Sequence, residues 1–330
     1  MSNVITLSRS FGKLVSFGKE VLEKEGHKLF FPPEDCLPLD EKRITNLIQK
    51  FNIDAIVVGA ERITPNILDT LGSRKIVAKH GAGLDNIDIR YATKSNIAVT
   101  FTPEANVQAV AELTVGLILC IARRIPKACF SMKNGDWEYF MGKEIYGKII
   151  GVIGTGKIGK AVIQKLSGMN VNILVYDIVT SKEISSLQNV KYVDLKEIFT
   201  NSDFITLHVP LTQNTYRMIG ENEFKLMKAS SYFINTSRGS IVDELALYKF
   251  LSSKKIAGAA LDVWENEPPK SISAKLVKLD NVIPTPHIGA YTEEAIYRMG
   301  HQCAMSIIDF FNNKKPKYLA NPDVWKNLGY

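Results

Sequence analysis

The chain has 330 residues, of which 45% are hydrophobic and 23% charged, and its formal net charge is +7. That length passes the roughly 250 to 300 residues at which one core stops growing, so two domains are expected, and the composition excludes a disordered or fibrous chain. Lysine and arginine are scattered, and the densest stretch, NNKKPK near the C-terminus, lacks the interleaved aromatic residues of a nucleic-acid platform, so no nucleic-acid partner is expected.

The first hundred residues alternate short β-rich runs with amphipathic stretches. The runs are VITL (4 to 7), HKLFF (27 to 31), AIVVG (55 to 59), KIVAK (75 to 79) and IAVTF (97 to 101), and segments such as DEKRITNLIQKF between them carry apolar residues at helical intervals. Parallel βα units are the natural reading. From Pro103 a helix is signalled by Val107, Val110, Ala111, Thr114, Leu117, Ile118 and Ile121, while Val115, Leu119 and Cys120 make its other face apolar too. A helix apolar all round is expected to be buried between domains or subunits.

The alternation then restarts with KIIGVIG (148 to 154), VNILVYD (171 to 177), VKYVD (190 to 194), DFITLHVP (203 to 210), SYFINTS (231 to 237), IAGAALDVW (256 to 264) and NVIPTP (281 to 286). Near-continuous apolar runs among them suit strands covered on both faces. One more helix, TEEAIYRMGHQCAMSIIDFFNN, follows Gly289 and is too small to stand alone, so it is expected to pack on a domain already built.

Four cysteines, Cys36, Cys120, Cys129 and Cys303, share neither metal-ligand nor redox spacing, so no metal is expected and the thiols read as free in a reducing, cytoplasmic setting. The opening MSNVITLSRSFGKLV has no apolar core of the kind a secretory signal needs. The most apolar helix is interrupted by Glu112 and shorter than a ~20-residue span, so no membrane partner is expected.

Chemistry first shows in GTGKIG. Gly154, Gly156 and Gly159 form GxGxxG directly after one strand and before a helix, the arrangement in which the first glycine permits a tight turn, the second lets backbone approach a pyrophosphate and the third brings helix against strand. The helix N-terminus then offers free N–H groups to phosphate. The next strand ends at Asp177, 18 residues after Gly159, near the spacing at which a carboxylate reaches an adenosine ribose. Its charge would repel a 2′-phosphate and no arginine follows in DIVTSKE, which favours NAD over NADP.

Arg238 in NTSRGSIVDE, Glu267 in LDVWENEPP and His287 in PTPHIGA stand at or just past the ends of late strands. Singly, each could be a solvated surface residue. Together they suit hydride transfer to a 2-keto acid: an arginine holds the carboxylate and polarises the carbonyl, a histidine protonates the developing alkoxide, and a carboxylate beside it stabilises the charged imidazole.

These stretches, with KHGAGLDNID, EANVQAVAE, LHVPLTQNT and TPHIGA in the same order, make the sequence resemble the NAD-dependent D-2-hydroxyacid dehydrogenases, most closely the phosphoglycerate dehydrogenase branch, from about Asp54 to Asn321. The resemblance implies an α/β fold in which a doubly wound Rossmann domain, 103–288, is inserted into a flavodoxin-like substrate domain, 1–102 and 289–330, and it implies a homodimer. It implies Arg238, Glu267 and His287 as the catalytic set. For NAD it implies Gly154, Gly156, Lys157, Ile158, Gly159, Asp177, His208, Val209, Pro210, Thr236, Ser237 and Asp262, the last holding the nicotinamide carboxamide.

For substrate it implies Lys79, the backbone at Ala82 and Gly83, Asn106 and Arg238. The arginine that this branch carries after its third strand aligns with Val58, and Arg62 lies further on. Arg9, Arg62, Lys79 and His80 all follow or close strands, so a cationic pocket and a doubly anionic substrate such as 3-phosphoglycerate are expected. Glyoxylate or hydroxypyruvate reduction is an alternative, and an NAD-sensing scaffold or co-repressor is one from another class.

Overall fold

The computed structural model describes residues 2–33 and 39–329; Cys36 lies outside them. The chain forms two compact units, Met1–Asn106 with Ala290–Tyr330, and Val107–Gly289.

The first unit carries strands β1 (Asn3–Thr6), β2 (Lys28–Phe30), β3 (Ala55–Val58), β4 (Ile76–Lys79) and β5 (Ala98–Thr100). They pair in parallel in the order β2-β1-β3-β4-β5, the flavodoxin-like order. Alternate residues serve opposite faces. Ile5, Ile56, Val58, Val77 and Val99 pack with Ile44, Ile48 and Ile67 of flanking helices, while Val4, Ala55, Val57, Ile76, Ala78 and Ala98 pack with Cys303, Ala304 and Ile307 of the long helix Glu293–Phe311. That helix is capped by the Thr292 hydroxyl, which accepts from the N–H of Ala295 at 3.2 Å. Both faces being covered explains the unbroken apolar runs, and the terminal helix is thereby part of this core.

The chain end adds a feature that no periodicity announced. Ala320 donates to the Val99 carbonyl at 2.7 Å and Phe101 donates to that of Tyr318 at 3.2 Å, so residues 318–320 close the free edge of β5. The buried Asn321 fixes this closure: its Oδ1 accepts from Val99 N at 2.9 Å and its Nδ2 donates to the Ile97 carbonyl at 2.9 Å and the Thr93 hydroxyl at 3.1 Å.

The second unit carries β6 (Ile149–Ile153), β7 (Asn172–Tyr176), β8 (Val190–Tyr192), β9 (Phe204–Leu207), β10 (Tyr232–Asn235), β11 (Gly258–Leu261) and β12 (Val282–Pro284). All pairs are parallel, in the order β12-β11-β10-β9-β6-β7-β8. The order reverses at β6 and β9, the switch point beside which open α/β sheets bind ligands. Helix Val107–Arg123 lies on one face with helix Lys157–Ser167, through Ile118, Ile121, Val162 and Leu166. Beyond it the surface is unusually apolar: Phe130 is 68% exposed, Trp137 73%, Tyr139 89% and Met141 88%. Among the described residues no helix is long and apolar enough to cross a membrane, and no group of His, Cys, Asp and Glu could hold a metal ion.

Replacing Asn321 by Ala leaves the buried Val99 N–H and Ile97 carbonyl without partners. The expected cost is about 2 to 4 kcal/mol, read as a lowered urea midpoint at unchanged slope.

Candidate active site

The carboxyl ends of β6, β7, β9, β10, β11 and β12 carry the residues singled out in the sequence of the second unit. Gly154 takes φ 96° after β6, and a Cβ there would stand 2.6 Å from the His208 carbonyl oxygen. At Gly159 a Cβ would stand 1.9 Å from the Gly154 carbonyl oxygen, whereas at Gly156 it would meet no protein atom within 4 Å. The turn and the helix contact therefore need glycine for protein reasons, and the middle position keeps free space at the amino end of helix Lys157–Ser167, where a pyrophosphate approaches. Lys157 is exposed and Ile158 half-buried in that first turn.

Asp177 follows β7. Its Oδ2 accepts from the Thr155 N–H at 2.6 Å and the Thr155 hydroxyl at 3.0 Å, and its Oδ1 accepts from Val179 N at 3.1 Å. Burial alone would raise this carboxyl, but these donors outweigh it and hold the group below its ordinary value, so it is ionised at neutral pH. Ile178 and Val179, next in sequence, are 90% and 70% exposed. The sequence reading passed over them, although an apolar pair in a turn after the acid was a legible signal.

Past β9, His208 sits with its Nε2 3.0 Å from the Thr206 hydroxyl, and burial of the ring pushes its pKa down to about 3, so the imidazole is neutral. Val209 is half-buried and Pro210 exposed. The Ser237 hydroxyl donates to the Val209 carbonyl, and the hydroxyl of Thr236 lies 2.9 Å from that of Thr114 on helix Val107–Arg123. Loops after β9 and β10 are thus tied to each other and to the helix beside them.

Arg238 follows β10. Its Nη1 donates to the Ser237 carbonyl at 2.8 Å. Its own carbonyl accepts from Asn235 Nδ2 at 3.0 Å, and Asn235 Oδ1 accepts from Ser237 N at 3.0 Å. Asn235, 1% exposed, clamps the loop and was not among the expected residues. At Gly239 a Cβ would stand 2.0 Å from the Trp264 carbonyl carbon, so only glycine lets this loop lie against the one after β11.

That second loop holds Glu267. Its Oε2 lies 2.7 Å from His287 Nδ1, and its Oε1 accepts from Trp264 N at 3.1 Å. Burial would raise the carboxyl, yet the hydrogen bond and charge of His287, the Trp264 N–H and Arg238 together hold it below its ordinary value. With Nδ1 turned to Glu267, His287 keeps Nε2 for another partner, and its side chain remains 42% exposed. His287 itself has φ 54°, a left-handed backbone that is strained for a residue with a side chain.

Two buried acids hold these loops. Asp262 Oδ1 accepts from the Thr285 hydroxyl at 2.6 Å and Ile288 N at 2.8 Å, its Oδ2 accepts from Gly289 N at 2.8 Å, and its carbonyl accepts from His287 N at 2.8 Å. Glu244, 4% exposed, accepts from Glu265 N at 2.7 Å and from the Ser273 hydroxyl, and burial pushes its carboxyl up. Glu244 stands in the quoted motif NTSRGSIVDE but had been given no part.

In the first unit Lys79, expected as a cation facing substrate, is 7% exposed. Its ammonium donates to the Gly59 carbonyl and, at 2.8 Å, to Asn86 Oδ1. Asn86 also donates to the carbonyls of Gly59 at 3.1 Å and Glu61 at 2.6 Å, joining the loop after β3 to the loop after β4 that contains Ala82 and Gly83. His80 is buried with Nδ1 3.2 Å from the Ser8 hydroxyl, and burial pushes its pKa down to about 4, so it adds no charge to the expected cationic pocket at neutral pH. Arg9 and Arg62 are exposed. Asn106 keeps its buried Oδ1 without a hydrogen-bond partner among the described residues.

Neutral His80 and His208 give a pH signature. Their folded pKa values lie below the unfolded value of about 6.5, so the unfolded chain takes up protons that the fold refuses. Stability should fall as pH drops from about 6.5 towards 4, by about 1.4 kcal/mol per pH unit for each group, and His208→Gln should remove its share of that slope in chemical unfolding.

Residues 115–289 match the family model described as D-isomer specific 2-hydroxyacid dehydrogenase, NAD binding domain. The chain is 44% identical over 254 residues to a D-3-phosphoglycerate dehydrogenase from Methanocaldococcus jannaschii, a match covering 76% of this chain but only 48% of that longer protein. It is 40% identical over 282 residues to a glyoxylate reductase from Thermococcus litoralis, covering 82% of this chain and 85% of the relative. The D-lactate dehydrogenase from Aquifex aeolicus, solved in complex with NAD and lactic acid, superposes with a TM-score of 0.81 at 28% identity, covering 98% of both chains.

Proposed function

Because the chain belongs to the D-isomer-specific 2-hydroxyacid dehydrogenase family of NAD-dependent oxidoreductases, we propose that it interconverts a 2-keto acid and its D-2-hydroxy acid, with Arg238, Glu267 and His287 as catalytic residues. The observation that carries this reading is the 2.7 Å contact between Glu267 and His287 Nδ1, which leaves Nε2 free. NAD, when bound, takes up or supplies the hydride.

Its pyrophosphate fits the space kept at Gly156 and the helix end at Lys157 and Ile158. Asp177 is the group for the adenosine ribose, with Ile178 and Val179 beside it as apolar surface for the adenine. His208, Val209, Pro210, Thr236 and Ser237 border the remainder of the dinucleotide. Asp262 Oδ2 accepts one hydrogen bond, from Gly289 N, and so has a lone pair left for the nicotinamide carboxamide.

In reduction, Arg238 holds the substrate carboxylate and polarises the carbonyl, and His287 gives the proton on Nε2 to the carbonyl oxygen as hydride reaches the carbon. In oxidation His287 takes that proton back. Glu267 keeps the ring oriented and offsets its positive charge. A scaffold that only senses NAD has no need of this paired acid and base.

On the first unit, the substrate contacts we propose are backbone N–H groups at Ala82 and Gly83 and the side chain of Asn106, whose buried Oδ1 has no hydrogen-bond partner among the described residues. Lys79 adds positive charge from behind that loop. The exposed Arg9 and Arg62 favour a second anionic group on the substrate, as in 3-phosphoglycerate. The burial of Lys79, and likeness to a glyoxylate reductase over 85% of its length, favour the second reading, a glyoxylate or hydroxypyruvate reductase. The enzyme is cytoplasmic in either reading, as the scattered free cysteines suit a reducing setting.

His287→Ala should cut turnover about 10²- to 10⁴-fold with NADH binding nearly intact. A panel of 3-phosphohydroxypyruvate, hydroxypyruvate, glyoxylate and 2-oxoglutarate separates the substrates: preference for glyoxylate over every doubly anionic acid would exclude the phosphoglycerate reading, and no turnover of any would exclude both.

The exposed Phe130, Trp137, Tyr139 and Met141 next to an apolar helix favour a homodimer built on this surface. Light scattering at micromolar concentration should show a dimer that Trp137→Glu shifts towards monomer; a monomeric wild type would refute the assignment.

A further inference from the structure

The nucleotide sheet has a second polar edge. Where β6, β9 and β10 begin, a cavity of about 240 Å³ is lined by Lys143, Lys148, Asp203, Phe204, Ser230 and Tyr232. The glycine turn lies at the other end of β6. A five-residue strand rising ~3.3 Å per residue places this cavity roughly 20 Å from Gly154, so the cofactor cannot fill it.

Its chemistry is lopsided. The floor is the ring of Tyr232, 6% exposed and stacked on Phe204 with centroids 5.2 Å apart. The ammonium of Lys143 lies 5.3 Å from the Tyr232 ring centroid and donates at 2.9 Å to the Ser230 carbonyl, which leaves it further donors. Lys148 is half-buried, and among the described residues its ammonium has neither a hydrogen bond nor an ion pair. The acid on the wall is already engaged: Asp203 Oδ1 accepts from Lys228 Nζ at 3.2 Å, and Oδ2 accepts from Ile149 N at 3.0 Å. The cavity is thus lined by two lysines and one carboxylate, and that carboxylate is already matched by Lys228. A partly desolvated cation without a counter-charge is costly to hold, and an anion between Lys143 and Lys148 removes that cost.

We propose that this cavity is a second ligand site, for the oxyanion head of a small phosphate or carboxylate compound, with Lys143 and Lys148 as its cations and Tyr232 as an apolar floor. The strands that start here end at Ile153, Leu207 and Asn235, just before Gly154, His208 and Arg238, so the occupied cavity abuts the amino ends of the three strands that carry the catalytic edge.

The test uses the full chain with NAD at saturation, so that the glycine loop is not the phosphate acceptor. Inorganic phosphate, and acetate as the carboxylate probe, are each compared with chloride at equal ionic strength. At a concentration well above its dissociation constant the anion should raise the unfolding temperature by about 2 °C. That rise should shrink by at least half in Lys148→Gln and vanish in the Lys143→Gln, Lys148→Gln double variant; the larger of the two responses identifies the head group. Should the double variant be unstable, Lys148→Met alone serves, since it breaks none of the hydrogen bonds described. An equal rise in wild type and variants, or no rise with either anion in wild type, overturns the proposal.

Discussion

The loops after β10, β11 and β12 are joined through one buried carboxylate, Asp262. Asp262 is 1% exposed and collects three donors from the segment after β12, while its backbone joins the two neighbouring loops: its N–H donates to the Asn235 carbonyl at 2.9 Å, and its carbonyl accepts from His287 N. A carboxylate in this position is tolerable because its charge is spread over hydrogen bonds that have few alternatives. The same bonds force residues 287–289 into a tight path, and the left-handed φ of His287 is the visible strain. The imidazole is thus set by backbone before Glu267 touches it.

The second level of restraint comes from glycine and from buried acids acting on N–H groups. Gly239 allows the Arg238 loop to lie against Trp264, Glu244 takes the N–H of Glu265, and Glu267 takes that of Trp264. Arginine, glutamate and histidine come from three different strand ends, so their grouping is a property of sheet order and loop packing together. A parallel sheet aligns the ends, and the clamps remove the freedom that a loop would otherwise keep.

Much of this was legible in the sequence, for a physical reason. Strands buried on both faces must be apolar runs, and each of the twelve runs read from the sequence coincides with a strand to within a few residues. The glycine turn was legible because its steric demands fall at fixed offsets. Clamping residues were not: Asn235, Glu244 and Asn321 are polar side chains whose worth depends on which backbone groups lie nearby, and that is set only by the tertiary path. Lys79 illustrates the same limit, since a lysine at a strand end reads as an exposed cation until the Gly59 and Asn86 oxygens enclose it.

The buried titratable groups of the first unit are governed by burial, as His208 and Glu244 are in the second. Lys79 and Arg9 both pull the carboxyl of Glu61 down, yet burial outweighs them and leaves it raised. The ammonium of Lys79 donates to the Gly59 carbonyl and to Asn86 Oδ1 beside that acid. His80 next to it is kept neutral by burial as well as by the lysine's charge. Behind the Ala82 and Gly83 loop the buried Lys79 is a cation, and His80 adds no positive charge at neutral pH. A buried ammonium behind a loop acts by charge at a distance, whereas peptide N–H groups act by direct contact, which separates strength of attraction from geometry of recognition.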